Sequence, residues 1–339
     1  EILAKFGTEE QKARYLAPLL EGHIFSTFSM TEPHAGSDPK QFTTRAVRDG
    51  GEWVINGEKF FSSNARSAAF LIVMAITNPD VSPYKGMSMF LVPADTPGIT
   101  IRRDVATMYD DPGHGHHAWI AYEDVRVPDA NILGGEGQAF VVAQARLGGG
   151  RIHHAMRTVA VAGQAYDMMC QRVLSRTTQG SLLADKQLVQ AAIADSWLQI
   201  TQLRLLVLQT AWLIDKRTAE GDLSSRGVRK EIAACKVQAA RVLHDVVHRA
   251  LHVHGALGVS QDTRLARMWQ RVPSMGIVDG PTEVHQVTMA RQLLKEHSAY
   301  EGVWPPYWLP PLVEQARARY ADVLAEHEAE RATAAEAAR

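Results

Sequence analysis

Three short segments carry the residue types that chemistry needs. In Val278-Asp279-Gly280-Pro281-Thr282-Glu283-Val284-His285, one acid stands at the end of a helix-length stretch, before a Gly-Pro break and a new helix start. Proline costs least in a first helical turn, where its missing N–H has no partner to lose. An acid at such a break can act as a general base or simply as an N-cap, and the residues alone leave both open. Thr31-Glu32-Pro33-His34-Ala35-Gly36-Ser37-Asp38 is a loop of short hydroxyl and carboxyl side chains, readable as a turn or as a loop that positions reacting groups. Gly148-Gly149-Gly150-Arg151 sets backbone freedom beside a fixed cation. That suits a helix-interrupting loop or a clamp for an anion or carbonyl.

Other chemistries find less support. Of 14 histidines, His244, His248 and His252 fall at i, i+4 and i+8, and His114, His116 and His117 crowd one loop. A helical zinc site needs a third ligand and a Glu base between the first two, but Asp245-Val246-Val247 stands there, so these read as solvated or packing histidines and no metal is expected. Ser37 lacks a Gly-x-Ser-x-Gly elbow, and neither GxGxxG after a strand nor GxxxxGK[ST] occurs, which removes the hydrolase, Rossmann and P-loop readings.

Changes of hydrophobic period mark the elements that must position these residues. Residues 1–25 are helical, with a Thr8/Gln11 capping box. From 26 to about 127 the pattern is β-like: a hairpin is expected with Asn56-Gly57 as its turn between Trp53–Ile55 and Lys59–Phe61, then strands at 69–76, 87–93, 99–103 and 117–125. About seven short strands suggest an antiparallel barrel or sandwich. From Gly134 the period is helical, with two long amphipathic helices joined near Gly221–Gly227 and others at about 136–175 and 282–297, an antiparallel bundle of four or five. The run WPPYWLPP stops any helix, and an Ala/Glu/Arg-rich helical tail follows. The expected class is therefore multi-domain α+β: an N-terminal helical segment (1–25), which the resemblance given below makes the last helix of an all-α domain, a middle β domain (26–130), a helix-bundle domain (131–297), and a linker and tail (298–339).

Composition excludes whole classes of function. With 36 Lys+Arg against 37 Asp+Glu in 339 residues, no global field favours nucleic acid or an anionic membrane. Cys170 and Cys235 cannot build a disulfide scaffold or a four-thiolate zinc site and fit a reducing compartment. No uncharged apolar run of ~18 residues occurs, and the start EILAKFGTEE has no signal-peptide layout, so a soluble protein of the cytoplasm or an organelle matrix is expected. A chain beginning at Glu1 inside a helix also reads as a fragment or processed product.

In their order, the segments resemble the acyl-CoA dehydrogenase family of flavoproteins. TEPHAGSD (31–38) is similar to its TEPGAGSD loop, INGEKFFSSN (55–64) to INGxKxWITN, and VDGPTEVH (278–285) to its YEGTxxIQ catalytic turn. Phe90–Gly98, Phe140–Arg151, Arg176–Gly180 and His252–Gly258 fall in register, over residues 1–297. Arg146–His154 and Asp279–His285 resemble the RLGxGRIHH and DGPxEVH signatures of the branch fused to kinase-like domains in eukaryotes. The family fold has an N-terminal helical domain, a middle β domain and a C-terminal four-helix bundle, so the resemblance implies that only the last helix of the first domain is present.

The resemblance implies a cofactor, FAD, and a reaction, the α,β-dehydrogenation of an acyl-CoA thioester. Asp279 takes the position of the base, one methylene shorter than the usual Glu, and its backbone N–H that of a donor to the thioester carbonyl. Phe28, Met30 and Thr31 match positions on the pyrimidine side of the flavin; Gly36 and Ser37 lie in the phosphate-side loop, Ser37 also near substrate. Phe61 and Ser63 stand for the ring-packing Trp and the Thr at flavin N5. Arg176 and Gln179 match a grip on the pyrophosphate of a neighbouring subunit's flavin, and His252, Val253, His254, Gly255 and Ala256 match the QxxGG turn against its adenosine part. Pro281, Thr282 and Glu283 continue the flavin contacts, Pro281 replacing a Thr and removing a donor. Gly148, Gly149, Gly150 and Arg151, with Gly280, match the substrate-binding turn, Gly148 replacing an Asp. Expected partners are acyl-CoA, an electron-transfer flavoprotein and copies of the same chain in a homodimer or homotetramer. Two rival readings share the fold: a flavin oxidase whose Asp deprotonates a small carbon acid, as in nitroalkane oxidase-like relatives, and a non-catalytic flavin-binding or assembly subunit.

Overall fold

A computed structural model describes residues 1–111, 113–221, 226–302 and 308–337. The helix–helix connection expected within Gly221–Gly227 and the Pro-rich run around Trp304–Tyr307 lie largely outside the described residues. The chain divides into two compact units, Glu1–Gln292 and Leu293–Arg339. In the first, short helices α1 (Ile2–Phe6), α2 (Glu9–Gln11) and α3 (Ala17–Leu20) lead into strands β1 (Phe25–Ser29), β2 (Arg45–Asp49), β3 (Glu52–Ser63), β4 (Ala68–Ile76), β5 (Met87–Pro93), β6 (Ile99–Val105) and β7 (His117–Pro128). Helices α4 (Ala139–Ser175), α5 (Gln187–Ala219), α6 (Arg229–His254), α7 (Ala256–Val259), α8 (Arg264–Met275) and α9 (Thr282–Leu294) follow, with the small β8–β9 hairpin (Thr177–Thr178, Ser181–Leu182) between α4 and α5. The second unit contains α10 (Leu309–Arg319) and α11 (Ala321–Ala337), whose residues are all exposed. Among the described residues no helix is long and apolar enough to cross a membrane.

The expected capping box is present, Thr8 and Gln11 exchanging side-chain and backbone bonds. Seven strands do form one sheet, ordered β1-β4-β2-β3-β7-β6 with β5 on β4, but it is mixed, since β1 and β2 pair β4 in parallel. β4 and β5 are continuous apolar runs because both their faces are covered. Phe70, Ile72, Met74, Met89 and Leu91 join a core with α1 and the start of α4, while Leu71, Val73, Phe90 and Val92 join a second core with Trp53 and Ile120. The expected hairpin at Asn56-Gly57 is overturned: both residues lie inside the unbroken β3, at a bulge against β7, and the tight turn falls instead between Asp49 and Glu52. Gly57 is needed for close approach, because a Cβ there would stand 2.7 Å from the Thr44 Cα.

Helix α4 corrects a second expectation. Gly148–Gly150 neither interrupt a helix nor form a turn; α4 runs through them for 37 residues, ~55 Å at 1.5 Å per residue. Its first turns (Ala139, Val142, Ala143) pack on the sheet and its later ones (Ala155, Ala162, Ala165, Met169) in the bundle core with α5, α6 and α8. The triple glycine therefore sits where sheet and bundle meet.

Candidate active site

Asp279 ends the break between α8 and α9 with φ +53°, a left-handed conformation that Asp tolerates better than most residues. Two donors pin its carbonyl: Arg151 Nε at 2.9 Å and His285 Nε2 at 3.2 Å. Burial pushes His285 down to about 4, so its ring is neutral and donates its Nε2–H. Gly280, at φ +107°, completes the bend; a Cβ there would meet His285 Nε2 at 2.9 Å. Thr282 opens α9 by donating its N–H (2.9 Å) and hydroxyl (3.3 Å) to the Gly276 carbonyl, Pro281 precedes it and Glu283 is exposed.

The Asp279 carboxylate, 11% exposed, faces α4. Its Oδ1 lies 3.2 Å from Arg146 Nη1 and its Oδ2 3.2 Å from His154 Nε2. Between these two residues on the helix, Gly150 leaves the space the carboxylate fills, since a Cβ there would stand 2.8 Å from Oδ2. Gly149 makes similar room for the Glu1 carboxylate, whereas nothing lies within 4 Å of a Cβ at Gly148. Burial raises the Asp279 proton affinity, but the His154 hydrogen bond and the Arg146 and Arg151 cations outweigh it, and the carboxyl is held below its usual range. Lys236, 1% exposed, donates to the Met275 carbonyl; burial pushes its ammonium down to about 8 against the pull of Asp279. Arg146 also stacks 4.8 Å over Phe28, joining the sheet-side site residue to the carboxylate.

On the sheet, β1 and β3 position the remaining candidates. Met30 O accepts from Lys59 Nζ at 2.9 Å and Thr31 O from Phe60 N at 2.7 Å. Lys59 and Glu32, 0% and 3% exposed, form an ion pair at 2.9 Å, and Glu32 also accepts from Thr43 N, Thr43 Oγ1 and Thr44 N. This pair anchors the 31–38 loop, leaving Gly36 and Ser37 exposed at its tip. Phe61, at φ +59° and 44% exposed, packs 5.8 Å from His117, whose Nδ1 lies 2.8 Å from Ser63 Oγ. Asp110, His116 and His117 place ligand-type atoms within 4.8 Å of one another, yet Thr107, the Asp110–His116 contact and Ser63 already satisfy these groups. His244 and His248 stack on Trp269, in keeping with a packing role.

A third cluster gathers Arg176 and His252–Ala256 around a cavity of about 380 Å³, with Arg172 and the β8–β9 hairpin. Two guanidinium groups and two imidazoles facing a backbone turn, with Gly255 at φ +63°, suit a pyrophosphate and an adjoining base. Arg172 Nε is buried without a partner beside it, and Gln179 sits at φ +48° in the hairpin turn. This donor set fits the anionic part of FAD. The sequence reading missed Arg146, His154, Glu32, Lys59, Lys236 and His285 as parts of these clusters. Arg146, Gly150 and His154 fall at i, i+4 and i+8, one face of a helix, which shows only when the triple glycine is read as helical.

Comparison with known proteins agrees along the length of the first unit. Residues 27–124 match the family described as "Acyl-CoA dehydrogenase, middle domain" and residues 137–294 the one described as "Acyl-CoA dehydrogenase, C-terminal domain". The chain is 47% identical to "Probable acyl-CoA dehydrogenase FadE2" of Mycobacterium tuberculosis over 88% of this chain and 73% of that protein. It is 44% identical to acyl-CoA dehydrogenase family member 11 of Gallus gallus over the same share of this chain but only 38% of that longer protein. The solved butyryl-CoA dehydrogenase of Megasphaera elsdenii superposes with a TM-score of 0.78 at 29% identity, covering 86% of this chain and 74% of that one.

Proposed function

Because the chain belongs to the acyl-CoA dehydrogenase family, whose members are FAD-dependent oxidoreductases, we propose that it dehydrogenates an acyl-CoA at the α,β bond with Asp279 as the base. The observation that carries this reading is the Asp279 carboxylate itself: 11% exposed, ionised, held by side chains of α4 and presented on a left-handed residue. Asp279 takes the proton from Cα, and its ionised state at neutral pH keeps it competent to do so. Arg151 and His285 fix the backbone that carries it, so the carboxylate swings little on its short side chain. FAD, when bound, accepts the hydride from Cβ. Phe28, Met30, Thr31, Phe61 and Ser63 would hold its ring, Gly36, Ser37 and Pro281–Glu283 the stretches beside it, and Arg176 and Gln179 with His252–Ala256 the pyrophosphate and adenosine part of a neighbouring subunit's FAD. The substrate would lie along Gly148–Arg151 and Gly280.

A second copy of the chain is the partner this reading requires. One face of α5 exposes Trp197 (55%), Leu205 (60%), Leu208 (56%) and Trp212 (59%), a stripe that an assembly would cover. An electron-transfer flavoprotein is the proposed acceptor. Anaerobic titration of the FAD-loaded protein with a panel of acyl-CoAs tests the reaction: bleaching of the visible flavin bands by at least one is expected. Bleaching by a nitroalkane or another small carbon acid and by no thioester would replace the acyl-CoA reading with an oxidase, and sedimentation of the same sample as a monomer would remove the assembly.

A further inference from the structure

The two oxygens of Asp279 are held by partners of opposite character. Arg146, at Oδ1, is 43% exposed and shared with the face of Phe28. His154, at Oδ2, is 21% exposed and its ring is held at both nitrogens: its Nε2 faces Asp279, and its Nδ1 lies 2.7 Å from Arg157 Nη2. Arginine has donors and no acceptor, so Nδ1 must be the unprotonated nitrogen of the ring. The neutral imidazole therefore carries its proton on Nε2 and gives that hydrogen bond to Oδ2. Arg157 thus sets the tautomer of His154, as a carbonyl or carboxylate does for histidines in other sites.

Resting on the assignment of Asp279 as base, we propose that His154 is a positioning residue that locks Oδ2 and leaves Oδ1 as the oxygen that takes the proton, with Arg146 as the group that gives way. In the step, the substrate Cα–H bond breaks, its proton forms an O–H bond on Oδ1, and the electron pair stays with the substrate. The Nε2–H donor serves the carboxylate before the step and the carboxylic acid after it without moving. An arginine at Oδ1 cannot do the same, because it would face the newly bound proton with another donor. Among the described residues, the charged and titratable groups that face Asp279 are Arg146, Arg151 and His154 from α4, Lys236 from α6, and His285 from α9.

Stopped-flow reduction of the FAD-loaded protein by its best acyl-CoA, with the parent, D279N, H154A, H154Q and R157A, tests this. H154A should slow the limiting rate ~10²-fold, the cost of a ~1 Å misplacement, while acyl-CoA affinity stays within a few-fold. H154Q, which keeps a donor, should recover part of the loss. R157A changes an exposed residue and should fold; with Nδ1 no longer held, the ring is free to turn away from Oδ2, and the limiting rate should fall part of the way towards that of H154A. H154A should cost nothing further in the D279N background. Loss of reduction in D279N with parent-like rates in both H154A and R157A would overturn the role of His154 alone. Normal reduction in D279N would remove the base itself.

Discussion

Two carboxylates, Glu32 beside the sheet and Asp279 at the α8–α9 break of the bundle, are held in opposite ways. Glu32 is 3% exposed and receives two backbone N–H groups, a hydroxyl and a fully buried ammonium, all from the β1–β3 scaffold. Asp279 is 11% exposed, receives one guanidinium and one imidazole from a single helix, and sits on a left-handed backbone. Both are held below the usual carboxylate range, Glu32 by Lys59 and the Thr43 and Thr44 bonds against its burial, Asp279 by His154 and its cations against its burial. Proton affinity therefore does not tell them apart. What separates them is whether the partners could move: Glu32 has none that could, Asp279 has Arg146. A satisfied, immobile carboxylate builds a fold, and one with a displaceable partner can meet a substrate.

The largest effect expected from this contrast is on rate. D279N should lower flavin reduction by acyl-CoA ~10²–10⁴-fold, the span of a general base, while its urea midpoint falls less than that of E32Q, because its Arg146 partner is 43% exposed. E32Q should do the reverse: breaking a buried pair costs about 3–5 kcal/mol of stability, read as a lower urea midpoint, and substrate reduction should persist in whatever remains folded. The sign with pH follows, since a carboxyl held below its unfolded value stabilises above that value and loses the contribution as pH falls through the folded one. The parent should therefore weaken on the acid side of the usual carboxylate range, and E32Q and D279N should each show a flatter acid limb than the parent. If both variants lose rate and stability together, the two carboxylates do not differ in the way described.

Gly150 sharpens the contrast because it is a glycine with a reason. A methyl there would sit 2.8 Å from Asp279 Oδ2, so G150A should cost ~10²-fold in rate by displacing the carboxylate. Gly163, on the same helix, has nothing within 4 Å of its Cβ position, and G163A should only stabilise, by up to ~1 kcal/mol of helix propensity. Equal rates in the two variants would mean that Gly150 is spacing and nothing more.

How much of this was legible depends on which residues are asked. The bundle and the runs of β4, β5 and β7 follow from period alone, and Asp279 stood out as an acid at a Gly-Pro break. Asn56-Gly57 misled because its turn chemistry is genuine but local, whereas pairing of β3 with both β2 and β7 along its length decides the strand. The triple glycine misled for a similar reason: three weak helix formers yield to a helix packed at both ends, and their purpose is the room they leave for Asp279 and Glu1. Partners far apart in sequence, such as Glu32 with Lys59 or Arg146 and His154 with Asp279, leave no local signal.

Backbone strain gives the finest division between the two acids. Among the described residues five non-glycines have positive φ, and three of them, Phe61, Gln179 and Asp279, are candidate site residues, while Glu32 is not among the five. A left-handed non-glycine residue costs of order 1–3 kcal/mol, held in place by its surroundings. Truncation alone cannot reveal this at Asp279, because removing the carboxylate also unpairs Arg146 and leaves Arg151 and Lys236 without its field. Comparing two truncations cancels that loss: D279G should be up to about 1 kcal/mol more stable than D279A, since the strain glycine releases, about 1–2 kcal/mol, exceeds the freedom it adds to the unfolded chain. At Glu32 the order should invert, E32G falling about 0.4–1 kcal/mol below E32A, because glycine there releases no strain and adds freedom to the unfolded chain. Urea midpoints of the four variants would decide it, and the same order at both positions would mean that Asp279 carries no strain and is held by its charges alone.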